Sequence, residues 1–512
     1  MKISRLTLAV AAILGIGAAS TAYAIDLYVD VKTKQIYAEP GPNRQLMGAF
    51  ERVEDKPASA PADMAAVQQD LEMKTNEIKA LQEHVKEVEQ VKVKMDKKGL
   101  QVESADKNFK FKLGGRIHAD SSFHNGGTYL DGGDVVDAND GTEIRRARMR
   151  FEGVFYKDWL MRTEADFADD NVRVKDAFIQ YTGLKDWVTI TAGQQKQNFS
   201  RELQESSNDM MFTERSLMNI LNAPTVDRAI GLNFESTHED WTAKLGIFGD
   251  SITPARTPTT SNVVDENGNR IGTVTTGAPP IADAGDEGWG ISSRLIYNPI
   301  IEKTKLVHLG LAGNYRVPDD SQDVAKGRDL RLTYETTNMS NLDIIDTRVR
   351  NVNDIKMLGL EAAGMYGPFS TGAEYTRTWV DRNNGSDNLE LDGWYAEAAY
   401  SITGESRGYK NGNFGYLEPA KPFSLKNGGW GAWELAARYS SADLNDGNFN
   451  GGELSNVTVA LNWYINSNFR ILANYTRLLD IERSPLTTTA GLPLTGDNAG
   501  LDTFMLRAQV AY

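Results

Sequence analysis

From about Gly99 to the final residue, Tyr512, apolar and polar residues take turns along the chain, and this two-residue rhythm limits the fold more than any other feature. In Phe109-Lys-Phe-Lys-Leu-Gly-Gly-Arg-Ile-His-Ala119 the odd positions are apolar or glycine, while Lys110, Lys112, Arg116 and His118 occupy even ones. Met161, Thr163, Ala165 and Phe167 likewise oppose Arg162, Glu164 and Asp166, and Trp433, Leu435, Ala437 and Tyr439 oppose Glu434 and Arg438. Successive side chains of a strand point to opposite faces, so each such row is a strand with one apolar and one wet face. The last row, Phe504, Leu506, Ala508, Val510 and Tyr512, ends in an aromatic residue. A soluble β-sandwich also alternates, but hundreds of residues of alternation with Trp and Tyr near the strand ends favour an all-β transmembrane antiparallel barrel. In a bilayer only a helix or a closed barrel satisfies every backbone group, and no stretch after the N-terminus approaches a hydrophobic helix. A mean hydropathy of −0.43 is no objection, because lipid-facing and water-facing residues of a barrel average out. At roughly 25 residues per strand with its share of connections, residues 99–512 hold about 16 strands, a size that leaves an aqueous channel.

The N-terminus sets the compartment. Lys2 and Arg5 precede the apolar run Leu6 to Ile16, and Ala22-Tyr23-Ala24 is a small-x-small cleavage site, so residues 1–24 read as a secretory signal and the mature chain is expected to begin at Ile25. A retained anchor would need about 20 apolar residues, and this run is broken by Gly15, Gly17, Ser20 and Thr21. Although export permits disulfides, the chain has no cysteine, which excludes disulfides, thiolate metal sites and cysteine nucleophiles. A net charge of −15 argues against nucleic acid as a partner, since phosphate backbones demand a basic footprint.

Residues 25–62 read as an N-terminal extended arm, or a small hairpin, followed by the linker Lys56-Pro-Ala-Ser-Ala-Pro61. From Met64 the spacing changes to heptads: Met64, Leu71, Ile78 and Val85 at one core position, Val67, Lys74, Leu81 and Val88 at the other. Seven of these eight are apolar, so residues 63–98 are expected to form a coiled-coil helix, with a single amphipathic helix as the alternative. Lys97-Lys98-Gly99 reads as the helix end, with cations at the negative end of the dipole. Further on, Asn125 to Thr142, Thr257 to Glu287, Asp381 to Asn388 and Asp443 to Glu453 are rich in Gly, Asn and Asp and read as extracellular loops. Tyr297-Asn-Pro299 and Asn466-Ser-Asn468 read as short periplasmic turns, and the Asn-Gly within Val263 to Ile271 reads as the tip of a projecting hairpin.

At Phe111-Lys-Leu-Gly-Gly-Arg116, Ile144-Arg-Arg-Ala-Arg-Met-Arg-Phe-Glu-Gly153 and Ala399-Tyr-Ser-Ile-Thr-Gly-Glu405 the chain resembles the phosphate-selective porin O and P family. Gly431 to Tyr439 and Leu461-Asn-Trp-Tyr464 extend the likeness towards the C-terminus, and the terminal aromatic strand resembles the signature by which outer-membrane barrels are recognised for insertion. The resemblance implies a trimeric barrel of about 16 strands in the bacterial outer membrane, passing small anions without a cofactor, in contact with lipid and lipopolysaccharide. It further implies that Arg116 reaches a constriction, that Arg145 and Arg146 share it, and that Arg294 belongs to a ladder drawing anions inward. Lys196 and Arg215 fall in Gly193 to Ser216, which corresponds to the family's inward-folded loop but departs from its usual pattern.

Strand parity gives an independent reading. Arg146, Arg148, Arg150 and Glu152 share one face, and Ala147, Met149, Phe151 and Phe155 the other. Arg145 falls on the lipid-facing parity, where a cation at mid-membrane costs about 2–4 kcal/mol. It is therefore expected either at the rim or turned inward by a bulge. Guanidinium groups stay charged and offer paired donors that match an oxyanion, so an arginine-lined route selects anions by replacing lost hydration. Carboxylates on the same parity, among them Asp120, Glu164 and Asp166, equally allow each arginine to be a strut of the wall. His118 and His124 share a parity but lie about 20 Å apart along a strand, too far to share one metal. Outer-membrane lipase activity lacks a recognisable nucleophile and histidine pair. The remaining rivals are a weakly selective or organic-solute pore, and a tether whose coiled coil binds a periplasmic partner.

Overall fold

The computed structural model describes residues 25–50, 61–88, 91–97, 99–129, 135–168, 172–252, 259–264, 270–276, 287–318, 330–340, 342–383, 385–482 and 501–512. The expected signal, most of the linker and the Asn-Gly tip lie outside the described residues. The chain divides into two compact units, residues 1–88 and 89–512.

In the first unit Ile25–Asp30 pairs antiparallel with both Ile36–Tyr37 and Arg44–Phe50. The arm is thus a three-stranded sheet, and the Arg44 guanidinium stacks 3.5 Å over the Tyr37 ring. Helix α1 spans Pro61–Val88. It stops ten residues before the heptad reading does, because Val91-Lys-Val-Lys-Met-Asp96 alternates with period two and forms a strand. That strand pairs with Gly99–Ser104, which puts Lys97 in a hairpin turn instead of a helix terminus. Gly99 adopts φ +86, and a Cβ there would lie 2.2 Å from the Leu113 carbonyl oxygen, so only glycine fits.

The second unit is a closed antiparallel barrel. Its sixteen strands are β1 (Phe109–Asn125), β2 (Gly141–Phe155), β3 (Trp159–Asp166), β4 (Arg173–Tyr181), β5 (Thr189–Lys196), β6 (Arg228–Thr237), β7 (Trp241–Phe248), β8 (Trp289–Ile301), β9 (Lys305–Val317), β10 (Val352–Tyr366), β11 (Phe369–Arg382), β12 (Leu389–Ser401), β13 (Ala432–Asp446), β14 (Phe449–Tyr464), β15 (Phe469–Glu482) and β16 (Asp502–Ala511). Pairing of β16 with β1, from Asp502↔Asn125 to Ala511↔Arg116, closes the wall, and Gly115 exchanges backbone hydrogen bonds with Tyr512. The alternation behaves as the rhythm requires. Ile117, Phe123, Met149, Leu245, Leu309, Leu435 and Leu506 lie exposed on the outer face, while Arg116, His118, Arg146, Glu164, Glu434 and Arg507 are buried inside.

Connections at the end bearing Tyr512 are mostly short, those at the other end longer. Asn466 to Asn468 is a turn as expected, whereas Tyr297-Asn-Pro299 is a bulge within β8 and the chain reverses at 302–304. Residues 443–453, read as a loop, continue β13 and β14 to a tight turn at Gly447. One connection at the Tyr512 end is long, residues 402–431, and reaches inward: Arg407 forms a bidentate pair with Glu434, at 2.9 and 2.6 Å, and donates to the Asp209 carbonyl oxygen at 3.2 Å.

Two connections from the opposite end also fold into the barrel. Residues 197–227 carry α2 (Arg201–Gln204) and α3 (Asn219–Val226), and residues 330–349 carry a short hairpin. Phe199, Leu203, Leu217, Ile220 and Leu221 pack with Leu332, Ile344 and Ile345 and with wall residues Val352, Ile355, Val380 and Leu391 into an apolar core. Burying a large aliphatic side chain contributes about 1.5–3 kcal/mol, so this cluster supplies the drive that pulls both segments out of water.

Candidate functional site

Residues 197–227 cross the lumen and fasten to the far wall. The Arg201 guanidinium donates to Tyr395 Oη and Glu397 Oε1, both at 2.6 Å, while the backbone N–H groups of Arg201 and Glu202 donate to Glu374 at 2.8 and 2.7 Å. Glu202 accepts from Arg438 at 3.1 Å, Arg470 donates to the Met210 carbonyl oxygen at 2.8 Å, and Arg507 to that of Thr213 at 2.7 Å. Among the described residues, the crossing leaves its central open space along the near wall, β1 to β7.

That space is a chain of cavities. The central one, about 440 Å³, is lined by nine arginines and three lysines against five carboxylates. A second, about 210 Å³, opens toward the Tyr512 end and shares Arg150 with it. A third, about 290 Å³, opens toward the loops and shares Arg145, Arg146, Arg215 and Asn219.

Two β-bulges build the central cavity. Between β1 and β2, His118 faces Arg146 and Ala119 faces Ile144, so Arg145 is the extra residue. Ile144 remains exposed on the outer face and Arg145 turns into the lumen, so adjacent arginines both project inward. The same device recurs between β3 and β4, where Glu164 pairs with Asp176 and Ala165 with Val174, leaving Lys175 extra. Lys175 and Asp176 both line the cavity.

The cations differ in how far they are neutralised. Arg116 bonds Glu164 at 2.9 Å and Ser207 at 3.0 Å. Arg148 holds Asp166 at 2.7 Å and Glu164 at 3.2 Å, and Arg162 bonds Glu152 at 2.9 Å. Arg228 pairs with Asp176 at 2.8 Å and Lys244 with Glu235 at 3.1 Å. Arg145 bonds Glu214 at 3.0 and 3.3 Å. Arg150 reaches only to 3.9 Å from Glu152. Lys196 and Arg215 donate solely to backbone carbonyls among the described residues: Lys196 to Leu203 and Glu205 at 2.7 and 2.9 Å, Arg215 to Glu202 and Glu205 at 3.2 and 3.5 Å. Arg146 is 5% exposed, meets no carboxylate among the described residues, and its buried Nη1 has no hydrogen-bond partner.

Of the residues singled out from the sequence, Arg116, Arg145, Arg146, Arg148, Arg150 and Lys196 therefore come together in one cavity. Arg294 stands apart. It is 1% exposed and bound to Glu361 at 2.8 and 2.7 Å and to the Gly412 carbonyl oxygen at 3.2 Å. Glu361 also meets His308 Nε2 at 3.1 Å, which completes a strut in the far wall. His118 lies 3.3 Å from Asn208, and His124 lies near Asp140. Arg162, Arg173, Lys175, Arg228 and Lys244 were not singled out. Parity alone marks Arg162 as inward, and the adjacent charges Lys175-Asp176 mark the second bulge.

An apolar outer belt, a closed wall of sixteen strands and a wet, cation-rich lumen define an outer-membrane porin for anions. Residues 111–485 match the family Phosphate-selective porin O and P, and the chain belongs to that family. It is 28% identical over 411 residues to Porin O of Pseudomonas aeruginosa, covering 74% of this chain and 85% of that protein. It is also 30% identical over 347 residues to an uncharacterized protein of Caulobacter vibrioides, covering 67% of this chain and 63% of that protein. Among solved structures, the anion-selective porin from Comamonas acidovorans matches with a TM-score of 0.46 at 12% identity, over 79% of this chain and 100% of that one.

Proposed function

We propose that the channel conducts phosphate and related oxyanions passively, past Arg145 and Arg146, then Arg116 and Arg148, and out past Arg150, with Lys196 at the end of β5 beside the crossing loop. Arg146 carries this reading. A buried charged donor without an acceptor is costly, by more than the roughly 1–3 kcal/mol of a neutral group. An oxyanion at the junction of two cavities offsets that cost and gains charge-assisted hydrogen bonds. Glu164, shared by Arg116 and Arg148, tempers the next stage, and passage requires such moderate, serial binding rather than one tight site. Arg294 serves in this reading as a wall strut.

The working form is a homotrimer. Leu71, Ile78 and Leu81 of α1 are 68%, 55% and 58% exposed, an apolar heptad face suited to helices of two further copies. Because α1 is followed within a few residues by the hairpin preceding β1, this coiled coil belongs on the periplasmic side, and the same helix is where a periplasmic partner would bind. The outer belt meets lipid and lipopolysaccharide. The direct test is single-channel chloride current in planar bilayers titrated with phosphate. Saturable block is expected, and chloride current indifferent to phosphate contradicts the reading.

A further inference from the structure

Resting on that reading, we infer that Glu214 is a tethered competitor: its carboxylate occupies Arg145 between solute passages, is displaced by an entering oxyanion, and reclaims the guanidinium as the anion leaves. Three observations converge on this residue. First, its geometry imitates the solute. Glu214 accepts from Arg145 Nε at 3.0 Å and Nη2 at 3.3 Å, the two-donor fork that also receives a phosphate. Second, its position is at the entrance. Glu214, Arg145 and Arg146 all line the outer cavity, while only the two arginines continue into the central one. The carboxylate therefore stands at the mouth, beside the cation that lacks a partner. Third, Glu214 is less committed than the carboxylates that hold Arg116 and Arg148. Its side chain is 30% exposed, against 4% for Glu164 and 9% for Asp166.

Its other contact is redundant. Arg507 donates to Glu214 at 3.2 Å but is already gripped by Asp120 at 2.7 and 2.6 Å and by the Thr213 carbonyl oxygen at 2.7 Å. Removing the Glu214 charge therefore leaves Arg507 paired and the loop fastened, while Arg145 keeps, among the described residues, Glu143 as its carboxylate partner, at 3.8 Å. An internal anion lowers the apparent affinity for the external one by the fraction of time it holds the site, and so favours release.

The test uses full-length protein in planar bilayers, with E214Q beside wild type and phosphate as blocker of chloride current. E214Q is expected to lower the half-blocking phosphate concentration by about threefold to tenfold and to shift the zero-current potential in a salt gradient further toward the anion value. In an R145A background E214Q is expected to change phosphate block little, since the two residues form one unit. Unchanged phosphate block in E214Q overturns the inference. So does a larger conductance with weaker block, which would make Glu214 a fastener of the loop. A wild-type channel that phosphate does not block defeats the underlying reading as well, an outcome separable from an anion-selective wild type that E214Q leaves unaltered.

Discussion

The two halves of the lumen use the same side chains to opposite ends. On the β8 to β16 side, Arg294 meets Glu361, Arg407 meets Glu434 and Arg438 meets Glu202, and at the seam with β1 Arg507 meets Asp120, each pair nearly devoid of solvent. On the β1 to β7 side the cations outnumber the carboxylates, and Arg146 and Arg215 meet none among the described residues. A buried, fully paired ion is a fastening with almost no outward field, whereas an underpaired one keeps its field and its hydrogen-bond donors for a solute. Charge count alone does not make a conducting surface; the deficit of partners on one wall does.

The comparison breaks most visibly if a fastening is cut. R201A strands Glu374 and Glu397 in a buried site, so it should lower stability by about 3–5 kcal/mol, read as the unfolding midpoint in detergent. It should also free residues 197–227 and raise conductance while selectivity falls. Next in size is R146A, which should reduce anion conductance far more at about 0.1 M than at about 1 M salt, where the screening length drops from about 10 to about 3 Å. Equal loss at both strengths contradicts an electrostatic role. A smaller effect concerns pH. Burial and the adjacent Asp343 carboxyl push the Glu335 carboxyl up to about 7, at the outer cavity near Arg145. It is neutral below that pH and negative above, so low-salt chloride conductance should fall as pH rises through about 7, and E335Q should abolish the step. The smallest change is expected from K244A/E235A, which deletes a self-cancelling pair from the conducting wall and should leave selectivity unaltered in reversal-potential measurements.

Much of this was legible in the chain. Period two reported the barrel, the length of the alternating stretch its strand number, and parity placed Arg116, Arg146, Arg148 and Arg150 inside. The bulge at Arg145 was one of two readings left open, and the apolar residues Ile144 and Ala147, three apart, are what require it. The equivalent signal at Lys175-Asp176, flanked by Val174 and Ala177, went unread. The end of α1 was misplaced because lysine-rich alternation after Val88 still fits helical spacing until its β-branched residues are weighed. What sequence could not supply was partnership across the lumen. Arg294 is inward by parity, but its neutralisation by Glu361, 67 residues on, follows from the register of β8 and β10 on either side of β9. The inward reach of residues 402–431 depends equally on Glu434 and Tyr464 waiting inside the wall.

The zero-current potential of single channels under a tenfold KCl gradient at low salt tests the central claim most directly. Underpaired arginines on the β1 to β7 wall require a potential of anion-favouring sign that moves toward zero in R146A. A cation-favouring sign in the wild type, or a potential unmoved by R146A, would contradict it.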